Sequence, residues 1–196
     1  MSIIFLGGIN GVGKSSVAQE LCRRINIQAL HGTTELMNFL GIVLGDYATL
    51  QNLPEVIKEQ AFENVFRSLV GSRKKDITLV TGHYAKILQG EIIPSYGGWY
   101  GYCDLLVVLV SSPHEIFYRI TEDESSGKRT TRNLFGERIV TPLERMAFLE
   151  NAQYVSEKVM RQASKEFRVP SFCIRNTDRQ LFNVVGRLVQ IIEKRL

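Results

Sequence analysis

Residues 8–15 read Gly-Ile-Asn-Gly-Val-Gly-Lys-Ser and match the phosphate-binding pattern G-x-x-x-x-G-K-[ST] in full. Glycines let the backbone curl so that its N–H groups face a phosphate, and a following helix N-terminus adds partial positive charge. Lys14 can reach the β- and γ-phosphates of a nucleoside triphosphate, and the Ser15 hydroxyl can join the coordination shell of Mg²⁺. The pattern therefore predicts a P-loop that binds ATP, with Mg²⁺ as cofactor. The predicted contacts are Gly8, Asn10, Gly11, Val12, Gly13, Lys14, Ser15 and Ser16.

Five apolar segments are predicted to form strands, and they alternate with helical segments along the chain. The predicted strands are residues 2–6, 27–30, 77–81, 105–110 and 171–175. The main predicted helices are residues 14–25, 34–44, 54–70, 141–165 and 181–194, with one more after residues 111–113. Because the strands are apolar throughout, they favour a parallel sheet covered by helices on both faces. The fold class is therefore α/β, a P-loop kinase sandwich with a five-stranded parallel sheet in a single domain, residues 1–196.

Other classes of P-loop protein carry downstream motifs that are missing from this sequence. A GTPase carries DxxG and NKxD and an ABC-type ATPase carries LSGGQ, and none of the three occurs. The two strongest strands end without an acidic residue, since one runs into Ser111 and the other ends at Thr81. Asp104 precedes its strand, at the edge of a parallel sheet opposite to bound phosphates. A small kinase is the layout that remains.

Two segments are predicted to close around the second substrate of such a kinase. Residues 31–70 carry the predicted acceptor-binding helices, and residues 121–142 form a small predicted lid insertion. Phosphoryl transfer concentrates negative charge on the transferring oxygens, so guanidinium groups that a closing lid brings in would stabilise it. Arg129 and Arg132 are the predicted catalytic arginines, and the alternative is a solvated charged loop.

His83 and Arg119 are two further candidates outside the P-loop. His83 follows a central strand at its C-terminal end, which is where open α/β sheets place ligands. Its predicted role is to orient the acceptor, and the alternative is a structural hydrogen bond. Arg119 lies on the helix after residues 105–110, as a second source of a guanidinium group.

The sequence resembles the archaeal-type adenylate kinases of the nucleoside monophosphate kinase superfamily along nearly its whole length. The resemblance rests on the P-loop followed by a second serine and on several shorter matches in the same order. These are residues 32–37 (Gly-Thr-Thr-Glu-Leu-Met), Leu53-Pro54, Gln60, Glu63, Gly82-His83 and Ile174-Arg175-Asn176. The resemblance implies the fold, the use of ATP with Mg²⁺, contact of the acceptor with Thr33 and His83, and contact of the adenine with the backbone of Asn176.

Several positions depart from that family pattern, mostly on the acceptor side. Tyr47 and Gln51 stand where the family carries arginines that hold the acceptor phosphate, and Thr81 stands where it carries an aspartate. Uncharged side chains cannot neutralise a phosphate as arginines do. We therefore expect AMP to be a weak acceptor, with Arg67 and Arg73 as the basic residues available to compensate.

Composition limits the remaining possibilities. Hydrophobic residues make up 44% and charged residues 22% of the chain, and the net charge is +4, with the basic residues mostly scattered. A small polyanionic ligand explains this charge as well as nucleic acid does, so nucleic acid is not expected as a partner. No apolar run approaches the ~20 residues of a membrane span. The three cysteines form no metal or CxxC spacing, which predicts buried reduced thiols and a cytoplasmic location.

The sequence as a whole predicts an ATP-dependent phosphotransferase of adenylate kinase-like type, acting on a nucleotide or nucleoside. Two alternatives stay open. One is a kinase for a small metabolite that is not a nucleotide, and the other is a P-loop ATPase that acts as an assembly or regulatory factor. The identity of the acceptor and the oligomeric state are not determined by the sequence.

Overall fold

The central sheet consists of five parallel strands in the order β2-β3-β1-β6-β7. The computed structural model describes residues 2–71, 76–126, 134–177 and 180–196. The sheet strands are β1 (Ser2–Gly7), β2 (Gln28–His31), β3 (Ile77–Thr81), β6 (Leu105–Val110) and β7 (Ser171–Arg175). The predicted five-stranded parallel sheet is confirmed, with strand bounds within one residue of those expected.

Helices cover both faces of this sheet. They are α1 (Lys14–Arg24), α2 (Gly32–Phe39), α3 (Tyr47–Asn52), α4 (Glu55–Gly71), α5 (Pro113–Ser125), α6 (Pro142–Phe167) and α7 (Leu181–Arg195). Side chains alternate across β1, so that Ile4 and Leu6 enter one core cluster while Ile3 and Phe5 enter the other. Burial on both faces is the reason that the three inner strands, β1, β3 and β6, are largely apolar, whereas the edge strands β2 and β7 are only partly buried.

The topology places a crevice at the carboxyl end of β1. This strand pairs with β3 on one side and with β6 on the other. The connections that leave the carboxyl ends of these strands therefore run to opposite sides of β1. In open parallel sheets, ligands bind where the connections diverge in this way. The P-loop follows β1 directly, so the fold holds it in this crevice.

A β-hairpin that the sequence did not predict follows β3. Its strands are β4 (Ala85–Leu88) and β5 (Glu91–Pro94), which pair antiparallel. The turn residues Gln89 and Gly90 have φ angles of 51° and 80°. Positive φ at both central residues is typical of a two-residue hairpin turn. The sequence Asn-Gly is the one that most often predicts such a turn, and Gln-Gly predicts it more weakly.

The predicted helix over residues 34–44 is shorter than expected. It ends at Phe39, because Gly41 and Gly45 adopt φ angles of 67° and 99°, which a helix cannot continue through. A separate short helix, α3, follows. Asp46 caps its first turn by accepting hydrogen bonds from the backbone amide and the hydroxyl of Thr49.

The predicted lid segment, residues 121–142, is described only at its two ends. The N-terminal end is the last turn of α5. At the other end Leu134 and Phe135 are buried in the core, and the backbone amide of Gly90 donates a hydrogen bond to the Leu134 carbonyl. Arg129 and Arg132 lie outside the described residues.

The three cysteines differ in exposure, so the expectation of buried thiols is only partly correct. Cys103 is buried, Cys22 is half-buried and Cys173 is exposed. The expectation is wrong for Cys173 because β7 lies at the edge of the sheet. No helix among the described residues has the length and apolar character to cross a membrane.

Candidate active site

The P-loop wraps the crevice between β1 and α1 in a conformation that depends on its glycines. A Cβ atom on Gly8 would lie 2.6 Å from the carbonyl oxygen of Leu109 on β6, so only glycine fits at this point of the P-loop. Gly13 has a φ angle of 89° and precedes the first residue of α1, which is Lys14. Such left-handed geometry is available to glycine at little cost. The loop thus places the N-terminus of α1, with its partial positive charge, at the edge of an open cavity.

The ammonium group of Lys14 folds back over the P-loop. Its Nζ atom donates hydrogen bonds to the carbonyl oxygens of Gly8, at 2.9 Å, and Ile9, at 2.8 Å. Phosphate oxygens carry negative charge, which these carbonyls lack, so they attract the ammonium group more strongly. A nucleotide phosphate bound at the P-loop can therefore replace these carbonyls as the acceptor of hydrogen bonds from Lys14.

Asn176, directly after β7, forms a hydrogen bond with the P-loop through its side chain. Its Nδ2 atom donates a 2.7 Å hydrogen bond to the carbonyl of Val12, and only 5% of the residue is exposed. In a trans peptide the C=O and N–H groups point in opposite directions. Because Asn176 holds the Val12 carbonyl, the N–H of Gly13 points away from Asn176. The asparagine thus fixes the orientation of a P-loop amide.

The backbone of Asn176 is already hydrogen-bonded within the protein. Its amide donates to the carbonyl of Val110 at 2.7 Å, and its carbonyl accepts from the hydroxyl of Ser111 at 2.6 Å. The resemblance implied that this backbone contacts adenine. The contacts of Asn176 in the structure instead join β6, β7 and the P-loop, and adenine contact stays a prediction.

A cavity of about 790 Å³ opens above the P-loop. Arg119 on α5 reaches into its wall, where Nη1 donates a 3.3 Å hydrogen bond to the carbonyl of Gly11. Glu122 and Asp123 line the same wall one turn further along the helix. Among the arginines that the structure describes, Arg119 is therefore the one placed beside the phosphate-binding loop.

The oxygen atoms near the P-loop suit a magnesium ion that enters with ATP. Ser15 is exposed at the first turn of α1 and lines the cavity, as does Ser16. Mg²⁺ is usually held by one or two protein oxygens together with substrate phosphates and waters. Ser15 would be the direct ligand, while Glu122 and Asp123 are the nearby carboxylates. The described residues contain no cluster of three or more acidic, His or Cys side chains that could hold a metal without the nucleotide.

Two histidines line this cavity near the ends of neighbouring strands, since His31 is the last residue of β2 and His83 lies two residues after β3. His83 Nδ1 lies 2.9 Å from the carbonyl oxygen of Gly8. A carbonyl can only accept, so Nδ1 carries the hydrogen, and this bond ties the end of β3 to the P-loop. His31 Nδ1 lies 3.0 Å from the hydroxyl of Thr81, which itself donates to the carbonyl of Leu30 at 3.3 Å. The Thr81 position, an aspartate in the family that the sequence resembles, is thus engaged in a bond with histidine.

A second cavity, of about 530 Å³, lies beside the first. Helices α2, α3 and α4 and the β4–β5 hairpin supply most of its walls. The two cavities share Asn10, Thr33, Tyr47, Gly82 and His83. Thr33 and His83, the predicted acceptor contacts, therefore both line the boundary between the phosphate-binding cavity and its neighbour. We call this boundary the junction.

The comparisons with known proteins give the family. Residues 7–134, about two thirds of the chain, match the family model of the AAA domain. The chain belongs to the AAA domain family. A search of curated proteins found no match to this sequence.

Solved structures similar to this AAA domain protein include three shikimate kinases. The enzyme from Bacteroides thetaiotaomicron superposes with a TM-score of 0.67 at 18% identity, over 98% of both chains. The Acinetobacter baumannii enzyme, in complex with shikimate, gives 0.61 at 15% identity over 99% of this chain and 94% of the other. The Aquifex aeolicus enzyme gives 0.58 at 15% identity, over 97% and 96%. At these identities the likeness establishes the P-loop kinase fold, while the narrower adenylate kinase type is not confirmed.

The second cavity of this AAA domain protein is lined by charged groups that the sequence interpretation missed. Lys58 and Lys86 line the second cavity, whereas Arg67 binds Glu63 and Tyr102 and does not line it. Lys86 was missed because the hairpin that carries it was not predicted. Lys58 could have been found from its position on the predicted helix over residues 54–70.

Glu55 connects these two lysines across the cavity wall. Its Oε1 atom lies 2.5 Å from Lys58 Nζ, and its Oε2 atom lies 3.4 Å from Lys86 Nζ. Partial burial would raise the pKa of Glu55, but the hydrogen bond from Lys58 and the charge of Lys86 lower it overall. The carboxylate is therefore ionised, and the cluster of two lysines and one glutamate carries a net charge of about +1 at neutral pH.

Proposed function

We propose that this AAA domain protein is an ATP-dependent kinase that phosphorylates a hydroxyl group of a small metabolite that is not a nucleotide. The observation that carries the proposal is the pair of cavities that meet at the junction. One cavity has the P-loop as its floor, and the other is lined by three helices and a hairpin. A phosphotransferase needs both a donor and an acceptor space with a common boundary.

The residues at the junction favour a hydroxyl acceptor over a phosphate acceptor. An acceptor phosphate must lie close to the γ-phosphate, and two such anions repel each other unless cations lie between them. None of the described residues that line both cavities is a lysine or an arginine. Tyr47 offers only a hydroxyl group there, and Gln51, on the acceptor wall, offers only an amide. A neutral hydroxyl carries no such repulsion.

The fold relatives support the same choice. A shikimate kinase of this fold has been solved with shikimate, which is a small acid with hydroxyl groups and not a nucleotide. The acceptor cavity of about 530 Å³ lies within the range of typical small-molecule pockets. We therefore prefer a metabolite kinase to the nucleotide kinase that the sequence resemblance favoured.

In the proposed reaction the acceptor oxygen forms a bond with the γ-phosphorus while the bond from that phosphorus to the β–γ bridging oxygen breaks. ADP leaves, and the hydroxyl proton is released as the ester forms. Lys14 would leave the carbonyls of Gly8 and Ile9 to neutralise the phosphates, with Arg119 beside it. His83 and Thr33 would orient the hydroxyl. Bound Mg²⁺ would supply further charge neutralisation.

The remaining predicted arginines belong to the proposal as well. Arg129 and Arg132 would add guanidinium groups as the segment around them closes and excludes water. Their part in catalysis rests on the sequence pattern alone.

A coupled assay of ADP release, with and without acceptors, tests the proposal. With MgATP present, a hydroxylated metabolite should accelerate ADP release by wild-type protein, and AMP should be at most a weak acceptor. The Lys14→Ala variant serves as the negative control for ADP release that does not depend on the P-loop. ADP release that no acceptor accelerates would favour the ATPase alternative. Tight, saturable phosphorylation of AMP would favour a nucleotide kinase, and either result would overturn the proposal.

A further inference from the structure

Lys58, Glu55 and Lys86 form a cluster that lines the acceptor cavity, and none of the three is among the residues that the two cavities share. Lys58 and Glu55 come from the first turns of α4, while Lys86 comes from β4. Lys58 also donates to the carbonyl of Gln51, at a long 3.4 Å. Its side chain is only 9% exposed, against 39% for Lys86. A nearly buried ammonium therefore borders the cavity.

The charge of this cluster is not balanced by its own carboxylate. Glu55 supplies one negative charge to two lysines, and its contacts with them use both of its oxygens. The other two carboxylates on the cavity wall are placed differently. Asp46 is engaged with Thr49 at the start of α3, and Glu59 is exposed. Glu55 already pairs with the nearly buried Lys58, so the excess positive charge of the cluster lies at the more exposed Lys86, where an incoming anion would neutralise it.

We propose that the acceptor is a hydroxylated anion whose carboxylate or phosphate monoester group binds Lys86, beside the Lys58–Glu55 pair. This inference rests on the proposed function and names the substrate class for the same site. The anionic group lies at the cluster, and the reacting hydroxyl lies at the junction beside His83 and Thr33. The carbon skeleton between them packs on the apolar wall, which includes Phe62 and Trp99.

This orientation separates the negative charges of the two substrates. The acceptor anion is held by Lys86, which lines the acceptor cavity alone, while the triphosphate is held by the P-loop, whose Lys14 lines the other cavity alone. Repulsion between the two decreases with distance and with the intervening cations. A reversed acceptor would bring its anion to the junction, where none of the described residues shared by the two cavities is a lysine or an arginine and the neighbouring Lys14 would be engaged by the triphosphate.

Trp99 provides a direct measure of occupancy. It is the single tryptophan of the sequence, it is 2% exposed, and it lines the acceptor cavity. Its fluorescence can be followed while the P-loop is saturated with MgADP, so that phosphate compounds do not compete there. The anionic probes are shikimate, D-gluconate and glucose 6-phosphate, and the uncharged counterparts are methyl shikimate and glucose. Shikimate and gluconate test a carboxylate, while glucose 6-phosphate tests a phosphate.

Three variants test the residues. Lys86→Met is expected to weaken binding of the anionic probe about tenfold or more, the value of one hydrogen bond to a charged group. Lys86→Arg should retain most of the binding. Glu55→Gln should leave the binding equal or tighter, because it raises the positive charge of the cluster. The matched control is Lys165→Met, which alters an exposed lysine on α6. Thermal unfolding confirms that each variant is folded.

The proposal is supported if at least one anion saturates the fluorescence change, its uncharged counterpart does not, and Lys86→Met weakens it while Lys165→Met does not. Equal binding of anion and counterpart, no effect of Lys86→Met, or no response to any anion would overturn it. Acceptor-dependent ADP release distinguishes a failure of the proposed kinase function from a failure of the proposed anion site. Anion binding that depends on Lys86, without acceptor-dependent ADP release, would retain the site and reject the kinase.

Discussion

Asn176→Ala is expected to weaken both the fold and the nucleotide site, because a single hydrogen bond links β7 to the P-loop. The Nδ2 atom of Asn176 lies 2.7 Å from the carbonyl of Val12, and both residues are buried. Alanine leaves that carbonyl without the donor and out of reach of bulk water. The P-loop peptide between Val12 and Gly13 then loses the contact that fixes its orientation.

The magnitude follows from the burial of the unpaired carbonyl. An unsatisfied buried acceptor costs about 1–3 kcal/mol, so we expect a loss of about 2 kcal/mol in the free energy of unfolding. For a chain of this size that loss corresponds to a decrease of roughly 4–8 °C in Tm. MgATP should bind about tenfold more weakly, because the Gly13 amide must be ordered again on binding.

Urea unfolding and calorimetric titration of MgATP measure the two effects. Asn151→Ala is the matched control, since Asn151 is exposed on α6. A double-mutant cycle with Gly13→Ala adds a sharper test, because a Cβ atom on Gly13 would lie 2.5 Å from Asn176 Nδ2. The combined loss should fall short of the sum by about 1 kcal/mol, since the clash disappears when Asn176 is shortened. Unchanged stability of Asn176→Ala, or strict additivity, would refute the reasoning.

Four further changes have defined expected outcomes. Lys14→Ala should lower kcat/KM for ATP about a hundredfold or more with little change in Tm, in contrast to Lys165→Ala, which should change neither. Arg119→Ala should weaken ATP binding about tenfold, and Arg119→Lys should restore only part of it, because the guanidinium fork is lost. Arg129→Ala should lower kcat more than it raises KM for ATP. An unchanged kcat would mean that this residue has no catalytic role. Gln89→Asn should stabilise the hairpin by about 0.5 kcal/mol, measured by urea unfolding, since asparagine adopts positive φ more readily.

The sheet and the P-loop could be predicted from sequence because their signals are local. The inner strands β1, β3 and β6 are largely apolar runs, and the P-loop is a contiguous pattern that follows a strand and opens a helix. The hairpin was missed because Gln89-Gly90 is a weak form of the Asn-Gly turn. The α2–α3 break was missed because Gly41 and Gly45 were not used as helix stops.

The acceptor side depends on contacts between distant parts of the chain, which no local pattern reveals. Glu55 and Lys86 are far apart in sequence and are brought together only when β4 folds beside α4. Asn176 could be placed at a strand end, but its bond to Val12 joins the last strand to the first loop. Comparison with a single family directed attention to missing arginines, while the lysines that border the cavity come from other positions.

Transfer of a labelled γ-phosphoryl group is the most direct measurement of the proposed activity. ATP that carries radioactive phosphorus at the γ position is incubated with the protein, Mg²⁺ and a hydroxylated acid, and the products are separated by chromatography. We predict that the label appears in a phosphate ester of that acid, and that the Lys14→Ala variant forms none of it. Label found only in inorganic phosphate, or in ADP when AMP is supplied, would contradict a metabolite kinase.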